Sequence, residues 1–226
     1  MGLINGLLGL FGRGNGKTDN KSSGQDSSVQ NMNFHDILFT TPTLENTLPD
    51  FEDKTDTSNF QFHEDDWRQI EFLSKNQKSS IDKEIAKIKD IYDNHSHKSG
   101  TFTGFKEVAV RNLITQPLTI DFFKLKSYLT DKNIIINGLS LYNNPGQVRN
   151  GFSFFAKGIE YYGQLDDNKK VKWFCIYWAD SQESLKSSID NLSKLLETEK
   201  LYLVDWRLMK IFDETNIKTD FVTDYK

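Results

Sequence analysis

Two runs rich in aromatic and β-branched residues constrain the fold of this chain more than any other feature. They occupy residues 152–163 and 170–179, and the six-residue, mostly polar segment QLDDNK lies between them. Two such runs joined by a short polar segment predict a β-hairpin. Apolar side chains fall on both alternating faces of each run. Either both faces are covered, which is the favoured reading, or one of them is a binding surface.

Periodic patterns on either side of this hairpin predict three helices. Apolar residues at 81, 85, 88 and 92 step by four, three and four, so they form one face of a helix that ends near Asn94. Pro117 is expected to open a short helix that ends at Leu129. Asp180 and Glu183 resemble a capping box at the start of the third helix. The buried stripe of that helix consists of Leu185, Ile189, Leu192 and Leu196.

Further alternating or β-rich segments predict strands at residues 65–73, 105–112, 134–142 and 201–212. Consecutive strands are joined by short links, which favours antiparallel neighbours. The expected fold class is therefore α+β: a mixed, mainly antiparallel sheet of about six strands with three helices, preceded by a largely disordered N-terminal tail.

Composition divides the chain near residue 62. Residues 1–61 contain four Lys or Arg and eight Asp or Glu, so the whole formal charge of −4 lies there, and all four Trp and all eight Tyr lie beyond it. A segment poor in large side chains cannot offset the entropy lost on ordering. We therefore expect a flexible acidic tail at 1–61, with a short apolar segment at its start, and a single α+β domain at 62–226.

The tail carries sparse apolar anchors. Leu3, Leu7 and Phe11 share one stripe of the sequence MGLINGLLGLFG, although four glycines weaken a helix there. As a helix the segment would reach about 18 Å, too short to cross a bilayer. It is either a docking helix for a protein groove or a membrane surface, or a frayed terminus. Phe34 and Phe39 belong to a stretch that packs on its own domain or folds onto a partner.

No motif for catalysis, metal binding or a cofactor is complete. The glycine-rich segment at 12–18 lacks the first glycine of a phosphate loop, because Phe11 stands there. His95 and His97 lack the further ligands of a zinc site. Cys175 lies within an aromatic run and is expected to be a small core residue. As the only cysteine, it suits a reducing compartment such as the cytoplasm.

Three polar residues form one candidate cluster. Glu107, Arg111 and Asp205 lie in predicted strands, where a buried acid needs a basic partner. A structural ion pair is the favoured interpretation. The alternative is an enzyme with a non-local acid and base site around these three residues.

These observations favour a non-catalytic module that binds another protein. The net charge of −4 and a pI near 5.6 argue against nucleic-acid binding through bulk charge. An immunity-type or adaptor protein that docks on or neutralises its partner fits this class. A structural component of a larger assembly, with residues 1–12 as the inserted segment, is an alternative. The candidate partner-binding residues are Leu3, Leu7, Phe11, Phe34, Phe39, Phe154, Trp173 and Trp178.

Overall fold

The computed structural model describes residues 38–53, 60–99, 101–130, 133–142, 144 and 146–224. Its strands are β1 (Thr43–Glu45), β2 (Phe51–Glu52), β3 (Phe60–Phe62), β4 (Ile70–Ser74), β5 (Ser96–Ser99), β6 (Phe102–Phe105), β7 (Ala109–Arg111), β8 (Leu139–Leu141), β9 (Gln147–Val148), β10 (Gly151–Ala156), β11 (Ile159–Leu165), β12 (Val171–Ala179), β13 (Leu201–Asp205) and β14 (Lys210–Phe212). Its helices are α1 (Lys78–Asn94), α2 (Phe122–Leu129), α3 (Gln182–Glu199) and the short α4 (Val222–Asp224).

A six-stranded antiparallel sheet lies at the centre, in the order β10-β11-β12-β4-β13-β14. The aromatic runs supply its first three strands, and β4 joins them to β13. Smaller sheets pair β1 with β7, β5 with β6, and β2, β9, β8 and β3 in that order. The predicted α+β class, with a six-stranded, mainly antiparallel sheet and three long helices, is confirmed.

Two predicted single strands are each a hairpin. The run at 152–163 turns at Lys157 and Gly158, whose φ values are 50° and 78°. Two consecutive positive φ angles are typical of a type I′ turn, which matches the twist of adjoining strands. The run at 201–212 likewise divides into β13 and β14, with Met209 at a φ of 55° in the turn.

The three long helices lie where the sequence pattern predicts them, but α2 and α3 do not begin at the predicted residues. α1 ends at Asn94 as predicted. α2 begins at Phe122, five residues after Pro117, because Asp121 caps it by accepting the N–H groups of residues 123 and 124. α3 is capped by Ser181, whose hydroxyl accepts the N–H of residue 184.

Both faces of the aromatic hairpin are covered over most of its length. On one face Phe154 and Phe174 pack with the apolar residues of α2 and α3. On the other face Tyr162 and Trp173 pack with Phe62 and the residues around β8 and β9. The strands are therefore covered on both faces, as favoured from the sequence, although β10 is the first strand in the order of the six-stranded sheet.

The folded unit begins earlier than the predicted boundary at residue 62. β1 pairs in parallel with β7, Phe39 exchanges backbone hydrogen bonds with Phe105, and residues 39–226 form one compact unit. The composition did not indicate this earlier start, because a strand as short as β1 contains too few apolar residues to change the composition of the stretch around it. The first 37 residues of the predicted tail lie outside the described residues.

Candidate functional site

A cleft of about 420 Å³ opens between three segments that follow or precede strands. They are the loop after β1, the turn before β4 and the extended segment after β7. The end of β11 and the start of β12 close its remaining side. The residues that matter for its chemistry are Glu45, Leu48, Trp67, Arg68, Arg111, Ile114, Thr115, Gln164, Lys172 and Trp173.

Arg68 lies in the floor of the cleft with its backbone in the left-handed region, at a φ of 53°. That conformation is uncommon for a residue with a Cβ and is retained where the surroundings determine it. Its N–H donates to the Tyr162 hydroxyl at 2.7 Å, and its Nε donates to Glu71 Oε2 at 2.8 Å. A further guanidinium N–H donates to the Thr115 hydroxyl. The side chain is thus held on several sides.

Arg111 is fully buried below Arg68. Its guanidinium donates to the Arg68 carbonyl at 3.1 Å and to the Thr43 hydroxyl at 3.2 Å, and Nε lies 3.5 Å from Glu45 Oε2. It also lies over the ring of Trp206, 5.2 Å from the ring centre. Burial lowers the pKa of Arg111, and the nearby carboxylates oppose that shift. An arginine remains protonated in proteins, so the site holds a permanent buried cation.

Two carboxylates complete the cluster. Glu71 accepts from the Trp206 indole at 2.8 Å as well as from Arg68. Burial raises the pKa of Glu45, while Arg68 and Arg111 oppose the increase. Burial also lowers the pKa of Arg68, but Glu71 and Glu45 together outweigh it and leave the pKa raised. These four groups, hereafter the ionic cluster, form a floor whose charges are paired with each other.

Aromatic walls and an apolar rim surround this floor. Trp67 and Trp173 meet edge to face with ring centres 4.7 Å apart. Their indole N–H groups donate within the protein, to the Thr47 carbonyl and to Gln164 Oε1, each at 3.0 Å. Leu48 and Ile114 lie at the rim, and Ile114 is 87% exposed. The rim of the polar cleft thus carries two exposed apolar side chains.

The three residues of the predicted polar cluster have different partners in the structure. Glu107 is exposed and lies 3.3 Å from His95, whereas Arg111 is buried against Glu45. Asp205 is also buried and accepts the N–H groups of residues 207 and 208, each at 3.0 Å. Sequence reasoning identified Arg111 but missed Glu45, Arg68 and Glu71.

The spacing of Arg68 and Glu71 could have indicated their pairing. A strictly alternating strand would put the two side chains on opposite faces. Arg68, however, precedes β4 and lies in a turn, where alternation does not apply. An i, i+3 ion pair across a turn is the signal that was available.

The predicted partner-binding residues fall into three groups. Leu3, Leu7, Phe11 and Phe34 lie outside the described residues. Phe154 and Trp173 are core residues, and Phe39 is half-buried beside Phe105. Trp178 is exposed and packs against Phe155, with ring centres 6.0 Å apart.

Within the described ranges, no three His, Cys, Asp or Glu side chains come close enough together to hold a metal ion. Nor does any helix of that part of the chain have the length and hydropathy needed to cross a membrane. Cys175 is buried, and burial raises the pKa of its thiol well above the usual value.

Comparison with known proteins yields no relative: no family model, no curated protein and no solved structure matches this chain.

Proposed function

We propose that this protein is a non-catalytic module that binds a protein partner, of the immunity or adaptor type, and that a segment of the partner occupies the cleft. The observation that carries the proposal is the exposed apolar rim, Leu48 and Ile114, beside a floor of paired charges. The single buried cysteine supports a reducing compartment, and we include the cytoplasm in the proposal.

The pairing of the ionic cluster argues for binding rather than catalysis. A general acid or base must exchange a proton with a reacting group. Arg68 and Arg111 remain charged, and Glu71 is held beneath Arg68 by two donors. A ligand therefore gains most from covering the exposed rim, because Trp67 and Trp173 are already buried. Apolar anchors surrounded by polar groups are the usual anatomy of a protein interface.

The test is affinity capture of partners from extracts of the native cells with the full chain and three variants. Leu48→Asp and Ile114→Asp place a charge on the rim, whereas Leu208→Asp does so elsewhere. Leu48 and Leu208 are each 40% exposed, which makes them a matched pair. We expect the same captured polypeptide to bind about tenfold or more weakly to the two rim variants and normally to Leu208→Asp.

Two results would overturn the proposal. One is capture that all three variants leave unchanged, because the partner would then bind away from the cleft. The other is failure to capture any polypeptide together with an increase in melting temperature caused by a small metabolite. Circular dichroism of each variant establishes that it is folded before capture is compared.

A further inference from the structure

A second surface, separate from the cleft, crosses one end of the central sheet. Phe155 on β10 pairs with Glu160 on β11, and Glu160 pairs with Trp178 on β12. Residues directly opposite each other on neighbouring strands project from the same face. The two aromatic rings lie 6.0 Å apart at 37° to each other. We call these three residues the aromatic row.

An exposed isoleucine extends the row beyond β10. Asn137 forms an antiparallel bridge with Ser153, two residues before Phe155. Ile135 lies two residues before Asn137 in the chain, and it is exposed. The row thus presents apolar side chains on both sides of one acidic residue.

That acidic residue is buried although its neighbours are exposed. Glu160 is 8% exposed, whereas Phe155 and Trp178 are 45% and 39% exposed. Among the described residues, no Lys, Arg or His lies within ion-pair distance of its carboxylate. Burial raises the pKa of Glu160 to about 7, and the hydrogen bond with the Ser153 hydroxyl opposes that increase. No charged group of the neighbouring strands in the described part of the chain contributes to the shift.

Two independent attractions for a cation therefore coincide. The faces of exposed aromatic rings attract a cation through their quadrupole. A buried carboxylate without a cationic neighbour is stabilised when one is supplied. A guanidinium satisfies both, because its plane stacks on rings while its N–H groups donate to a carboxylate.

We propose that the aromatic row binds an arginine side chain of a protein partner, whose guanidinium lies against Phe155 and Trp178 and donates to the Glu160 carboxylate. This inference rests on the proposed function only in that a protein supplies the arginine. The row and the cleft use different residues, so each can fail without the other.

The test uses the ¹⁵N-labelled full chain and a minimal probe, N-acetyl-arginine N-methylamide. The neutral isostere N-acetyl-citrulline N-methylamide is the matched control. The reporter is the indole N–H resonance of Trp178, which is assigned by its loss in Trp178→Phe. We expect a saturable movement with the arginine probe and binding about tenfold or more weaker with citrulline.

Variants and pH provide two further readouts. Glu160→Gln keeps the shape of the side chain and removes its charge, and is expected to reduce binding of the arginine probe to the level of citrulline. Glu183→Gln removes an exposed carboxylate from α3 and should leave binding unchanged. Because only the ionised Glu160 attracts the probe, binding to the unaltered chain should be stronger at pH 8 than at pH 6.

The proposal is overturned if arginine and citrulline bind equally, if Glu160→Gln binds normally, or if the probe fails to move the resonance at all. Broadening of the same resonance with protein concentration, without probe, would assign the row to a second copy of this chain and would also overturn it. The pH comparison uses no variant, so it keeps the test decisive even if Glu160→Gln does not fold.

Discussion

The guanidinium of Arg111 has no contact with bulk solvent, and yet it connects three separate segments of the chain. It donates to the Thr43 hydroxyl on β1 and to the Arg68 carbonyl before β4, and it belongs itself to β7. Removing one member of a buried ion cluster leaves the others unpaired in a medium of low polarity, which costs more than the pair itself contributes.

We therefore predict that Arg111→Met lowers the free energy of unfolding by about 3–5 kcal/mol, because Glu45 loses an ion-pair partner and the Arg68 carbonyl loses a hydrogen-bond donor. Urea unfolding measures the change. The matched control is Arg149→Met at an exposed position, for which the change should stay within about 0.5 kcal/mol. A loss below about 1 kcal/mol for Arg111→Met would show that the cluster contributes little to stability.

At the scale of single residues, the sequence indicates that Arg111 needs an acidic partner, but it does not indicate which acidic residue that partner is. Glu107 and Asp205 lie, like Arg111, in predicted strands, whereas Glu45 lies in a stretch with the composition of a tail. The partner is decided by the parallel pairing of β1 with β7, which places Glu45 beside Arg111. Three residues are too few to show a strand pattern.

Among the elements, the turn between β10 and β11 shows how closely the strands and α3 approach each other. Gly158 has a φ of 78°, and a Cβ there would overlap the Ser184 hydroxyl and lie 2.5 Å from Asp180 Oδ1. The turn therefore needs glycine for two reasons, its backbone conformation and the lack of space.

We predict that Gly158→Ala destabilises the protein by about 1–3 kcal/mol, since both reasons act together. The melting temperature should fall by roughly 3–10 °C. Gly146→Ala is the comparison, because its backbone is not left-handed and the nearest atom to an added Cβ, Phe51 Cβ, is 3.1 Å away. Equal melting temperatures for the two variants would contradict this account of the turn.

The same turn explains why the sequence predicted the types of secondary structure but not the number of strands. Aromatic content identified 152–163 as β structure, and helical periodicity gave the C-terminal end of α1 correctly. A Lys-Gly pair inside an aromatic run is a weaker turn signal than Asn-Gly, so the run was interpreted as one strand. The cleft was not predictable, since it forms where loops from distant segments meet.

For the molecule as a whole, the position at which the fold begins is the most consequential difference from the sequence-based expectation. Composition placed the boundary after residue 61, yet Thr43 and Glu45 are buried and residues 39–226 form one unit. Without β1 and the loop after it, Arg111 would lose its carboxylate partner, and the Trp67 indole would lose the Thr47 carbonyl. These losses concern the floor and the wall of the cleft, so the early segment is required by the site as well as by the fold.

Two truncated chains test whether the folded domain begins near residue 38 or near residue 62. We predict that a chain starting at Leu38 unfolds in urea with the same midpoint as the full chain. A chain starting at Phe62 should lose at least about 3–5 kcal/mol of stability, because Arg111 then lacks its partner and one strand of its pairing. Equal midpoints for both truncations would mean that residues 38–61 are dispensable and that the compositional boundary is the physical one. If the shorter chain alone is unfolded, the acidic stretch between residues 38 and 61 belongs to the domain, and a binding role for an N-terminal tail is confined to residues 1–37.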